Sequence, residues 1–255
     1  MSRRAPKTGH RPGQKAASSR PRFWGRHPVL AALANPERRV RKVWATHDAA
    51  ALLGKLPDSI PLLLADAADL ARLVPNDAPH QGLVAEVDPL EDIWLADLIE
   101  QGRGDNRPLI VLDQVTDPHN VGAVLRSAAA FDALGIVTQD RHAPPESGAL
   151  ARAASGTLET VPWVRVVNLA RALEEMEAAG FWRIGLTGAG TVPLSEALGM
   201  KKVALVLGAE GEGMRQNTEA HCDQLARLPI SDKVESLNVS NAAAIALYAV
   251  AAARG

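Results

Sequence analysis

The chain has 255 residues, is 47% hydrophobic and 22% charged, and carries a net charge of −1; this is the profile of a globular protein with room for two modest domains. No apolar run approaches the ~20 residues of a membrane span, and the N-terminal stretch lacks the apolar core of a secretory signal; a cytoplasmic location is the default expectation, with mitochondrial targeting the alternative left by a basic, Ser-containing, acid-free N-terminus. The single cysteine, Cys222, excludes an internal disulfide framework and a cysteine-cluster metal site.

Charge is unevenly placed. Residues 1–26 hold eight basic side chains and no acidic one. Removing those eight from the 28 Lys and Arg leaves 20 against 29 acidic residues, a body near −9. Residues 1–21 are expected to form a disordered basic tail suited to polyanion contact.

From Trp24 onward, apolar periodicity predicts a small α/β unit ending near residue 88. Helices are expected at His27–Asn35, Ala49–Leu56 and Ala67–Leu73, and strands at Val40–Thr46, Pro61–Leu64 and Gln81–Val87. Residues 89–107 read as a linker: a helix over Glu91–Gln101, then the turn-rich Gly102-Arg-Gly-Asp-Asn-Arg-Pro108, a candidate hinge.

A second unit spans 108–255. Strands are expected at 109–113, 135–138, 157–166, 181–187, 203–208 and 225–230. Helices are expected at 120–132, 146–154, 168–179 and 238–253, with shorter ones near 194–199 and 214–220. This alternation implies a mostly parallel sheet covered on both faces.

Common cofactor signatures are missing. Gly208-Ala-Glu-Gly-Glu-Gly213 has its glycines at the first, fourth and sixth positions, whereas the dinucleotide fingerprint needs the first, third and sixth. There is no P-loop, no nucleophile elbow and no zinc-type histidine spacing.

Three polar loops at strand ends remain. The first, Asp113-Gln-Val-Thr-Asp-Pro-His-Asn-Val-Gly-Ala-Val-Leu-Arg126, runs from a buried strand into an Ala-rich helix, with Asn120 as the expected N-cap. A strand, a polar loop and a helix N-terminus suit a phosphate-bearing ligand. Gly122, costly inside a helix, implies close approach of backbone or ligand. Arg126 lies in an otherwise apolar stretch, and helical side chains lean toward the N-terminus, so it reaches toward the loop. The second loop carries glycines 208, 211 and 213, which let the backbone pass close to a ligand, with Glu210 and Glu212. The third, Ser236-Leu-Asn-Val-Ser240, opens the last helix, capped by Ser236 or Asn238. His119, His221 and Cys222 read as incidental.

Taken together, these loops resemble the motifs of the SpoU/TrmH branch of the SPOUT RNA 2′-O-ribose methyltransferases. They stand here as Asn120-Val-Gly-Ala-Val-Leu-Arg126, Leu207-Gly-Ala-Glu-Gly-Glu-Gly-Met214 and Leu228-Pro-Ile…Glu235-Ser-Leu-Asn-Val-Ser240, in order across about 120 residues. Upstream, Trp24-Gly-Arg-His-Pro-Val29 and His80-Gln-Gly82 resemble the two ends of that family's small substrate-binding domain. The nearest resemblance is to members that methylate a guanosine ribose in large-subunit (23S) rRNA.

The resemblance implies a C-terminal SPOUT domain with a trefoil knot, a homodimer with active sites beside the subunit interface, and S-adenosylmethionine bound in the knot with no metal. Implied cofactor contacts are Thr187, Gly188, Leu207, Gly208, Leu228, Ile230 and Leu237. Implied catalytic residues are Asn120, Arg126, Glu210, Ser236 and Asn238. Arg126 is assigned to the target ribose and its phosphate, Asn120 and Asn238 to fixing the ribose or the loop, Glu210 to orienting Arg126 or Asn120, and Ser236 to supporting the third loop. The alternatives within this reading are a tRNA substrate and a non-catalytic RNA-binding or ribosome-assembly protein of the same fold.

Overall fold

The computed structural model describes residues 20–199 and 202–254; residues 1–19 of the expected basic tail lie outside them. The N-terminal unit is a four-stranded sheet of β1 (Arg22–Trp24), β2 (Val40–Ala45), β3 (Leu62–Leu64) and β4 (Leu83–Val87), ordered β1-β4-β2-β3. Only the β2–β3 pair is parallel. The helices of this unit are α1 (Arg26–Ala34), α2 (His47–Ala50) and α3 (Ala67–Ala71). Both short helices start at side-chain caps: Thr46 Oγ1 accepts from Ala49 N–H at 3.3 Å, and Asp66 Oδ1 from Asp69 N–H at 2.7 Å. The helix expected over Ala49–Leu56 is therefore earlier and shorter.

The connecting segment holds α4 (Leu95–Gln101). Leu95 and Leu98 are buried in the core of the second sheet. A Cβ added to Gly102 would lie 2.5 Å from the Leu134 side chain. The connecting segment is thus packed against the C-terminal unit through α4, whose Leu95 and Leu98 have a core to enter.

The second sheet contains β5 (Leu109–Leu112), β6 (Gly135–Gln139), β7 (Trp163–Val166), β8 (Trp182–Leu186), β9 (Val192–Pro193), β10 (Val203–Leu207) and β11 (Gln224–Arg227). Their order is β7-β6-β5-β10-β8-β11-β9, and every pairing is parallel. Covering it are α5 (Pro118–Ala130), α6 (Gly148–Ala154), α7 (Leu169–Ala178), α8 (Leu194–Ala197), α9 (Gln216–Glu219) and α10 (Val239–Ala253). Strands β5 and β10 are buried throughout, as central parallel strands must be. Their side chains alternate between two cores: Ile110, Leu112, Leu205 and Leu207 face α5 and α10, while Leu109, Val111, Ala204 and Val206 share the other core with α7. Each such buried Leu, Ile or Val contributes about 1.5–3 kcal/mol through area removed from water.

The fold class expected from the sequence holds. The path around β8 and β11 is of the kind a trefoil knot requires. After β8 the chain runs outward past β11, forms β9 and α8 beyond it, and returns to the gap between β5 and β8 as β10. The crossing is tight: a Cβ on Gly190 would lie 2.3 Å from the Ala226 backbone. After β11 the chain runs back to α10, which packs on both α8 and α5.

Three expectations differ locally. The strand expected over 157–166 is a 3-10 turn at Thr157–Glu159 followed by β7, because Pro162 has no N–H to pair. Strands β1 and β9, three and two residues long, carry too little pattern to read. Helix α5 starts at Pro118 rather than Asn120: Asp117 is the N-cap and accepts from His119 N–H at 2.9 Å, with Pro118 in the first turn.

Candidate functional site

With Asp117 as the cap, Asn120 sits inside the first turn of α5 and its amide is free for another purpose. It meets the other two loops. Asn120 Nδ2 donates to Glu210 Oε1 at 3.2 Å, and Asn238 Nδ2 donates to Asn120 Oδ1 at 3.0 Å and also to Glu210 Oε1. The three side chains close a ring. Asn238 is simultaneously the N-cap of α10: its Oδ1 accepts from the Ser240 N–H at 2.9 Å, the Ser240 hydroxyl at 2.5 Å and the Asn241 N–H at 3.4 Å. One amide therefore uses its oxygen to start a helix and its nitrogen to join loops one and two.

A second link lies beneath. Asp113, fully buried at the end of β5, accepts from Arg215 N–H at 2.9 Å and Nε at 2.9 Å, with Nη2 at 2.7 Å. Arg215 also donates to Gln139 Oε1 at 2.6 Å. This pair ties the loop after β10 to the ends of β5 and β6. Sequence reasoning assigned it no role, although an aspartate directly after a fully apolar strand signals a carboxylate that needs a partner.

Loop two is a tight hairpin, with Ala209 and Gly213 exchanging backbone hydrogen bonds at 3.1 and 2.9 Å. A Cβ on Gly208 would fall 2.0 Å from the Gly213 carbonyl carbon, so a side chain there would collide with its own loop. Gly122 serves packing as well: a Cβ there would lie 2.5 Å from Ala153 Cβ and 2.7 Å from the Leu150 carbonyl oxygen, both on α6.

Beside the ring opens a cavity of about 750 Å³ between the β8, β10 and β11 ends. Thr187, Gly188, Leu207, Gly208, Leu228, Ile230 and Leu237 all line it, as do Glu210 and Ser236. The lining also carries Glu212, Glu219, Asp232 and Glu235 against one cation, Arg227. Such a wall disfavours an anionic ligand in this cavity and favours a cationic one.

Arg126 stands apart from the ring. It is exposed on α5 and forms no hydrogen bond or ion pair among the described residues. Glu210 thus contacts Asn120 and not Arg126. Ser236 is exposed on the cavity wall. His119 and His221 are outside the ring. Cys222 lies on the far side of β8, and burial pushes its thiol up to about 12. Among the described residues no group of three His, Cys, Asp or Glu side chains is placed to hold a metal ion.

Comparison with known proteins matches these features. Residues 107–248 fit the SpoU rRNA Methylase family model, and residues 23–93 fit the RNA 2′-O ribose methyltransferase substrate-binding model. A protein from Synechocystis described as an uncharacterised tRNA/rRNA methyltransferase is 38% identical over 91% of this chain, which spans 62% of that relative's length. The 23S rRNA (guanosine-2′-O-)-methyltransferase RlmB of Pseudomonas aeruginosa is 36% identical over 90% of this chain and 95% of its own. The crystal structure of the SpoU methyltransferase AviRb from Streptomyces viridochromogenes, solved with AdoMet, shares the fold with a TM-score of 0.78. It covers 91% of this chain and 89% of its own at 24% identity. The loops, the parallel sheet and the two matched models together place this chain in the SpoU rRNA methylase family.

Proposed function

We propose that this protein transfers a methyl group from S-adenosylmethionine to the 2′-hydroxyl of a guanosine ribose in large-subunit (23S) rRNA. The observation that carries this reading is the Asn120–Glu210–Asn238 ring, which joins three loops at the edge of an acid-lined cavity. The substrate assignment is supported by the activity named for the Pseudomonas aeruginosa relative, matched over nearly its whole length.

The cavity suits the cofactor. Its volume falls in the range of small-molecule sites, Leu207, Leu228 and Ile230 offer apolar surface to an adenine, and the surplus of carboxylates suits a cation. Thr187, Gly188, Leu207, Gly208, Leu228, Ile230 and Leu237 would hold it. When bound, S-adenosylmethionine supplies an electrophilic methyl group on a sulfonium, so the chemistry needs no metal.

The protein's own residues then align and stabilise the acceptor. A ribose hydroxyl is a poor nucleophile until its proton leaves. The Arg126 guanidinium stabilises the developing alkoxide and pairs with the neighbouring phosphate. An RNA phosphate or a water takes the proton. Asn120 and Asn238 hold the target against the loops, Glu210 locks both amides, and Ser236 supports the third loop at the cavity wall.

Residues 22–88 act as the RNA-binding domain, 89–107 as the connection and 108–255 as the catalytic domain, with residues 1–21 as a basic RNA-contacting tail. The protein acts in the cytoplasm as a homodimer. Exposed Ile245 and Tyr248 on α10, with Tyr248 edge-on to Phe131 at 6.0 Å, form apolar surface beside the helix that carries Arg126, as a dimer with active sites near its interface needs. The deciding experiment is mass-spectrometric mapping of ribose methylation in rRNA from cells with and without the gene. Loss of one guanosine mark in large-subunit rRNA is expected. An unchanged rRNA map overturns the substrate assignment.

A further inference from the structure

The two N-terminal motifs, Trp24–Val29 and His80–Gly82, take no part in the cavity or the ring, yet the structure brings them together. Gly25 N–H donates to the Leu83 carbonyl at 3.1 Å, and Gln81 Oε1 accepts from Arg26 N–H at 3.0 Å. The same Gln81 oxygen accepts from Arg152 Nη1 of α6 at 3.0 Å. Close by, Gly148 opens α6 directly against Trp24; a Cβ there would fall 1.8 Å from the indole ring. The joined ends of the N-terminal sheet therefore seat on α6.

A few residues away is a buried ion cluster. Arg38 comes from the turn between α1 and β2, and its side chain has 0% exposure. Its Nη1 lies 2.6 Å from Glu146 Oε2 and 2.8 Å from the Asp88 carbonyl oxygen. Its Nε and Nη2 face the Glu159 carboxylate, at 3.0 and 2.9 Å. Burial opposes the charge on Arg38, but the bonds and charges of Glu159 and Glu146 outweigh it and raise the pKa. Asn35 donates to Glu159 at 2.8 Å, and Glu146 accepts from Leu90 N–H at 3.2 Å. All these C-terminal partners fall within residues 146–159, which is α6 and its flanks. Helix α6 is in turn packed at backbone distance on α5 through Gly122. Mechanical continuity thus runs from the N-terminal sheet through α6 to the helix that carries Asn120 and Arg126.

We propose that Arg38, clamped between Glu146 and Glu159, locks the N-terminal sheet onto α6 and so fixes the distance between the RNA gripped by that sheet and α5. Arg38 is a positioning residue: it selects which ribose of the RNA meets Arg126 without touching it. The inference rests on the RNA-methylation reading for its substrate, but the rigid docking does not. Such a cluster fixes orientation, because Arg38 meets both carboxylates and the Asp88 carbonyl together in only one arrangement of the two units.

The test uses the full chain. The triple variant Arg38→Met/Glu146→Gln/Glu159→Gln removes the charges of Arg38 and its two carboxylates while keeping volume and leaves Arg165, 3.7 Å from Glu146, its Asp92 partner at 4.0 Å, and Gln81→Asn, one methylene shorter and tolerant of the positive φ of 52° at that position, loosens the other end of the same interface. Three quantities are read: solution scattering of the cofactor-bound protein, kcat and KM on a large-subunit rRNA fragment, and the map of methylated nucleotides. In the triple variant a larger radius of gyration, a KM raised about tenfold with kcat held within about threefold, and methylation at additional nucleotides are expected; Gln81→Asn shifts KM the same way by about threefold. If KM and the map stay unchanged in both variants, or if only kcat falls in step with the folded fraction, the cluster is merely structural and the proposal fails. Should the unaltered protein leave rRNA unmethylated, the functional reading fails, and scattering alone decides the docking: an unchanged radius of gyration in the triple variant refutes it.

Discussion

Asn238→Asp separates the two duties of one side chain. The oxygen of Asn238 caps α10, and its amide nitrogen bonds Asn120 and Glu210. Aspartate is as good a cap as asparagine and is favoured at a helix N-terminus, so α10 should form normally. The donor, however, is lost, and a carboxylate now faces that of Glu210. Two charges about 4 Å apart repel by ~1 kcal/mol in water and ~4 kcal/mol at an effective dielectric of 20; the exposed ring belongs near the lower figure. Adding the two lost hydrogen bonds, about 1 kcal/mol each, gives roughly 3 kcal/mol for ring opening. Asn238→Ala loses the cap as well, a further ~1 kcal/mol. By thermal melting, Asn238→Asp should stay within a few degrees of the parent, and Asn238→Ala should melt lower. Methyl transfer should fall by roughly a hundredfold in both, since loops holding the acceptor are no longer aligned. Transfer by Asn238→Asp within threefold of the parent would refute a catalytic role for the ring.

Other outcomes follow from the same geometry. Arg126→Ala should lose turnover while calorimetric affinity for S-adenosylmethionine stays nearly unchanged, because Arg126 is not among the cavity-lining residues; loss of cofactor binding contradicts its assignment. Cys222, its thiol pushed up to about 12 by burial, should be about one part in ten thousand thiolate at pH 8, against roughly a quarter for an ordinary cysteine. Alkylation of the native protein should then be over about a thousandfold slower than that of the unfolded chain. Asp223 is held below the usual carboxylate range by its hydrogen bonds to Arg183, at 2.7 and 2.8 Å. Its stabilisation is present above the unfolded pKa of about 3.9 and is lost as pH falls through the folded value. Asp223→Asn should accordingly lower the denaturation midpoint at pH 7 and flatten its dependence below about pH 4; parallel acid limbs in the two proteins would exclude this contribution.

Much of the architecture was legible along the chain. Continuous apolar runs such as Leu109–Leu112 and Val203–Leu207 can only be strands covered on both faces, and their alternation with helices implies a parallel sheet. The three polar loops and their order carried the family. Local chemistry misled where two residues competed for one duty. Asp117 and Asn120 both suit an N-cap, and Pro118 settles the matter by beginning the helix at itself. Gly122 and Gly208 signalled close approach, but a sequence does not name what approaches; here it is α6 and the neighbouring turn.

What the sequence determined by itself was therefore local: which segments are strands and helices, which loops are polar, and where charge is segregated. The tertiary structure decided who meets whom. Asn120 finds Glu210 across 90 positions and Asn238 across 118, Asp113 finds Arg215 across 102, and Arg38 finds Glu146 across 108. Such partners leave no periodic trace, because they are brought together by strand order, with β10 inserted between β5 and β8. Once β5, β10 and β11 stand nearly side by side with the same direction, their C-terminal loops share one edge, and polar groups that are unrelated along the chain become one site.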